Sequence, residues 1–102
     1  MKTAARARMT AKRPVGLVWV EGDQCFWCVD GQILRSLMDL KHALANMTAE
    51  TYRYHVTPEK NDFAQWTEVT LLDKKCAQSL RVAKTQGAAV SALEKCLAAY
   101  VI

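Results

Sequence analysis

Apolar residues follow two different rhythms along this chain. Between Leu17 and Val29 they come in short blocks, Leu17-Val18-Trp19-Val20 and Cys25-Phe26-Trp27-Cys28-Val29, separated by Glu21-Gly22-Asp23-Gln24. β-Branched and aromatic runs bounded by turn residues predict strands, so an N-terminal β-hairpin is expected, ended by Asp30-Gly31. From Ser36 the spacing changes to three and four: Leu37, Leu40, Leu44 and Met47 share one face, with Asp39, Lys41, His42 and Asn46 on others. That pattern is an amphipathic helix, with Ser36 as N-cap and Asp39 placed to return the bond. The helix is expected to end between Asn46 and Ala49, and Thr48 is placed to cap a brief helical turn through Thr51 to Tyr54.

A further helix start is read at Thr57-Pro58-Glu59, because proline at the first helical position gives up a donor that has no partner there, with Asn61-Asp62 as the alternative cap. Phe63, Trp66, Val69 or Thr70, and Leu72 continue at helical spacing. Asp73 restarts the pattern: Leu72, Cys76, Leu80 and Ala83 form one stripe, Gly87 breaks it, and Val90, Leu93, Leu97 and Val101 form the next. These last stripes predict an antiparallel helical hairpin around Gln86-Gly87, in which partner positions sum to about 173. Leu80 then faces Leu93, Ala83 faces Val90, and Cys76 falls beside Cys96 or Leu97. The fold class is accordingly mainly α, a single-domain bundle of four to five short helices with a small N-terminal β-hairpin.

Composition and charge refine this picture. A chain of 102 residues, 51% hydrophobic, suits one domain. Its formal charge of +4 is concentrated at one end: Lys2, Arg6, Arg8, Lys12 and Arg13 precede any acid. Taking those five from the 14 basic residues leaves nine against ten acidic from Pro14 onward. Residues 1–14 therefore read as a disordered basic arm and residues 15–102 as one compact domain. Arg6, Arg8, Lys12 and Arg13 are candidate contacts for weak, salt-dependent nucleic-acid binding, with a solubilising tail as the plainer reading. Met9 offers an alternative start. Charged residues interrupt every apolar run well short of the roughly 18 positions a membrane helix needs. Four cysteines without a secretory signal point to free thiols in a reducing compartment, the cytoplasm.

Candidate chemistry is sparse. Cys25-Phe-Trp-Cys28 has the spacing used in thiol exchange, but no helix follows it, and cysteines three apart in a strand point to opposite faces. A zinc site would need Cys25, Cys28, Cys76 and Cys96 to converge although the second pair is far apart in sequence. Cys76 and Cys96 read instead as packing residues at the open end of the helical hairpin, near enough to crosslink under oxidation. His42 and His55 have no cysteine or serine at a spacing that implies a nucleophile and base. Asp62 is a candidate partner for His55, more often an orienting bond than a catalytic dyad. Glycine-rich phosphate loops and nucleophile elbows are absent from the sequence.

Phe26-Trp27-x-x-Asp30-Gly31, Leu34, Leu37-x-x-Leu40, Tyr54-His55-Val56 and Lys60-Asn61-Asp62-Phe63-Ala64-x-Trp66 together resemble an uncharacterised domain family of bacteria and archaea. The resemblance implies a mostly helical accessory domain and no particular activity. It singles out His55, Asn61, Asp62, Phe63 and Trp66, either as a shared binding site or as a structural lock. The expected function is a non-catalytic protein-interaction or regulatory module without cofactor or metal, acting on a protein partner the sequence does not identify. A nucleic-acid-associated protein using the arm, and a thiol or zinc protein using Cys25 and Cys28, are the alternatives.

Overall fold

A computed structural model describes residues 16–100. Five helices and two short hairpins follow one another: β1 (Phe26–Trp27), β2 (Ile33–Leu34), α1 (Leu37–Asn46), α2 (Ala49–His55), β3 (Val56–Thr57), β4 (Lys60–Asn61), α3 (Asp62–Val69), α4 (Lys74–Val82) and α5 (Gln86–Ala98). The mainly α single domain with a small N-terminal hairpin is the fold the hydrophobic pattern predicts. Each helix begins at a polar side chain that accepts the N–H three residues on: Ser36 from Asp39, Thr48 from Thr51, Asn61 from Ala64, Asp73 from Cys76 and Thr85 from Ala88. These caps satisfy donors that the first helical turn leaves without partners.

The first hairpin forms one step later than its pattern predicts. Phe26 pairs with Leu34 and Trp27 with Ile33, while Leu17–Val20 lies outside the strands, its Val20 N–H donating to the Arg35 carbonyl. The reason lies in the turn at Asp30-Gly31. Gly31 takes a φ of +96°, Asp30 Oδ1 accepts the Gln32 N–H at 3.0 Å, and Cys28 bonds to both Gly31 and Gln32 through its backbone. Gly22–Gln24 instead winds into one 3₁₀ turn. At Thr57-Pro58-Glu59 the alternative cap prevails. Thr57 Oγ1 accepts the N–H groups of Glu59 and Lys60, folding this stretch into the tip of the β3–β4 hairpin, and Asn61 caps α3.

The core is assembled from one face of each helix. Leu37, Leu40, Leu44, Phe63, Leu80 and Leu93 are fully buried, and Ala43, Ala64, Ala77 and Ala89 between them let the helices approach closely. α3 packs on α4, α4 on α5, and α5 back across α1. Two apolar positions depart from the expected stripe. Val69 and Leu72 are exposed, and Thr67 and Leu71 are buried in their place; the Thr67 hydroxyl donates to the Phe63 carbonyl at 2.8 Å, which makes its burial tolerable. The α4–α5 turn is centred on Ala83–Lys84, with Thr85 as cap, so Gly87 lies inside the first turn of α5 rather than breaking the pattern. Val101 lies outside the described residues, as do residues 1–14 and the candidate contacts Arg6, Arg8, Lys12 and Arg13. None of the described helices is long and apolar enough to cross a membrane.

Candidate functional site

Tyr52 to Trp66 leaves α2, turns through the β3–β4 hairpin and enters α3, which places His55 at the end of one helix and Asp62 at the start of the next. His55 Nδ1 lies 3.0 Å from Asp62 Oδ2, and the Val29 N–H donates to His55 Nε2 at 3.1 Å. With the Val29 N–H donating to Nε2, the ring proton sits on Nδ1 and faces the Asp62 carboxylate. Lys60 Nζ reaches the same Asp62 oxygen at 3.0 Å. Burial raises the Asp62 carboxyl, but the hydrogen bonds from His55 and Lys60 and the Lys60 charge outweigh it and hold the group below its usual range.

The five residues singled out by sequence converge. His55 is 4% exposed, and its ring meets Phe26 and Phe63 at centroid distances of 5.0 Å each. Asn61 divides its amide between two tasks, Oδ1 capping α3 and Nδ2 donating to the Leu80 carbonyl at 3.3 Å. Phe63 is buried beneath Phe26, and Trp66 donates Nε1–H to the Gln24 carbonyl at 2.9 Å. Through these contacts the cluster ties the first hairpin, α2, the second hairpin and α4 to the start of α3.

Sequence reasoning missed one member, Cys28, whose Sγ lies 3.6 Å from His55 Nε2. Cys28, His55 and Asp62 thus form a row in the order that a cysteine nucleophile, its base and an orienting carboxylate take. No sequence spacing announces it, because 27 positions separate the cysteine from the histidine. Nε2 is already occupied by the shorter bond from Val29, Cys28 is buried, and burial pushes its thiol above the ordinary value. Cys25 is elsewhere engaged, its Sγ 3.8 Å from the Val20 carbonyl, so the two cysteines of the CxxC spacing serve different partners. No group of three or more histidine, cysteine or acidic side chains able to hold a metal occurs among the described residues.

An open cleft of about 630 Å³ lies beside the second hairpin, lined by Tyr52, Arg53, Pro58, Lys60, Arg81 and Lys84 among others, and neither Cys28 nor His55 faces it. Arg81 is held by Glu68 at 2.7 Å and Lys60 by Asp62, so half of its cations are already neutralised. A different surface lies on the outer side of the first hairpin. Trp27 is 62% exposed, opposite its strand partner Ile33, with exposed Val29 beyond. Comparisons with protein-family models, with curated proteins and with solved structures gave no match to this chain.

Proposed function

We propose that the protein is a non-catalytic protein-interaction module that docks a partner protein through the outer face of its first hairpin. The observation that carries this reading is Trp27, a tryptophan 62% exposed on a hairpin that is itself clamped from behind. Phe26, its neighbour on the inner face, is packed against Phe63, His55 and Trp66, so the backbone that presents Trp27 is fixed by the core. Trp27, Val29 and Ile33 give a small apolar patch, and a rigid aromatic anchor is the kind of group around which protein interfaces concentrate their binding energy. The saturated His55 ring supports a structural rather than a catalytic role for the Cys28–His55–Asp62 row. The accessory role implied by the resemblance fits this reading, and four free cysteines support a cytoplasmic location.

The test uses the full chain as bait in its native host, with photo-crosslinking from position 27. A partner captured by the wild type, lost in Trp27→Ser and kept in Tyr54→Ser is the expected result. Capture that survives Trp27→Ser, or that depends only on residues 1–13, overturns it.

A further inference from the structure

Cys76, in the first turn of α4, and Cys96, near the end of α5, come together near the open end of the α4–α5 hairpin. Both line a cavity of about 240 Å³ together with Asp73, Lys75, Lys95 and Tyr100. The two thiols are not equivalent. Cys76 is 1% exposed, whereas Cys96 is the one cysteine of the four that is not buried. The Tyr100 hydroxyl donates to Asp73 Oδ2, engaging the carboxylate at the cavity, while Lys75 and Lys95 supply positive charge around it. Burial, reinforced by the neighbouring Cys96, raises the Cys76 thiol above its ordinary value. Cys25 and Cys28 are both buried and engage different partners, the Val20 carbonyl and His55.

We propose that Cys96 and Cys76 are an oxidant-reactive thiol pair, in which Cys96 attacks a small hydroperoxide and Cys76 closes the product to an intrachain disulfide. In the first step the Cys96 thiolate sulfur attacks one peroxide oxygen. The S–O bond forms, the O–O bond breaks, and the hydroxide or alkoxide that leaves takes a proton from water. In the second step the Cys76 thiol passes its proton to the sulfenic oxygen as its sulfur attacks the Cys96 sulfur. The S–S bond forms, the S–O bond breaks, and the oxygen departs as water with the Cys76 proton. The dithiol gives up two electrons and the peroxide accepts them. The disulfide joins α4 to α5 across the end opposite their turn, so oxidation locks the helical hairpin without involving the face that carries Trp27. This inference is independent of the docking reading.

The experiment treats the full folded chain with hydrogen peroxide, quenches with an alkylating reagent and digests with trypsin. Cleavage after Lys75 and Lys95 releases one peptide from Cys76 to Arg81 and another beginning at Cys96, each with a single cysteine. The expected product is these two peptides joined, lighter by two hydrogens than the separate thiols and parted again by dithiothreitol, with Cys25 and Cys28 recovered alkylated after unfolding. In Cys76→Ser the sulfenic acid at Cys96 is left unresolved and is trapped by dimedone. Absence of the joined peptide while near-ultraviolet circular dichroism shows the wild-type chain still folded overturns the proposal, as does oxidation of Cys25 or Cys28 ahead of Cys96.

Discussion

His55 Nε2 accepts the main-chain N–H of Val29 at 3.1 Å, across 26 positions of sequence. One side chain at the end of α2 therefore finishes the turn of the first hairpin. Replacing it removes the acceptor from a partly buried donor, leaves Asp62 without its main partner and opens a cavity between Phe26 and Phe63. His55→Ala is expected to cost about 3 kcal/mol, the sum of a lost buried bond and a cavity. Urea unfolding followed by tryptophan fluorescence measures it, and a loss within experimental error of zero would remove His55 from the role of lock.

Stability should also carry the signature of Asp62. Its carboxyl is held below the ordinary value of 3.8, so its bonds to His55 and Lys60 favour the folded chain above that pH and are lost as pH falls through the lower folded value. Asp62→Asn keeps an oxygen for the His55 Nδ1–H but not the charge. The variant is expected to be less stable than the wild type at neutral pH, with the gap closing below about pH 4. Denaturation midpoints recorded from pH 3 to pH 7 check this; a gap independent of pH would assign the loss to geometry alone.

Leu72 offers a change in the opposite direction. It is 77% exposed and adopts a φ of +60°, a left-handed conformation that costs a residue with a side chain about 1 kcal/mol. Leu72→Gly relieves that strain while giving up almost no burial. A rise in the thermal midpoint of a few degrees is expected, partly offset by the greater freedom of glycine in the unfolded chain.

Trp66 should behave unlike Trp27. Trp66→Phe keeps most of the packing against Phe26 but deletes the bond to the Gln24 carbonyl, for an expected loss of about 1 to 2 kcal/mol. Trp27→Ser touches an exposed outer strand position and should change stability by no more than about 0.5 kcal/mol. Thermal melts of the two variants side by side measure the contrast, and a larger loss for Trp27 would contradict its assignment as a surface group.

The parts of the fold that could be read from the chain are those decided within a turn or two of sequence. Ser36, Thr48 and Asp73 announce their helices because a cap bonds only three residues ahead. The leucines of α1 lie on one face wherever the partner helix happens to be. The departures arise where two local signals compete or where a distant contact decides. Thr57-Pro58-Glu59 and Asn61 both resemble helix starts, and the Thr57 hydroxyl, bonding the two amides after proline, settles the contest for a turn. The register of the first hairpin depends on Gly31 and on His55, the latter far along the chain. Leu71 and Leu72 are alike in composition, and only the left-handed kink at Leu72 determines which of them enters the core. The pairing of His55 with Asp62 was visible because seven positions separate them across one turn. Their alignment with Cys28 was not, because only tertiary packing brings that strand end to the imidazole.

Gln86, the first residue of α5, sends its side-chain amide to the carbonyls of Leu44 and Met47, both at 2.8 Å, which closes the C-terminal end of α1 from 42 and 39 positions away. The first helix is thus completed by the last. A chain emerging from a ribosome cannot satisfy these two carbonyls through Gln86 until α5 has been made, and α5 packs on α1 as well as on α4. Partial products therefore gain little by ordering early, and this domain should cross from unfolded to folded in one concerted step after synthesis of its final helix.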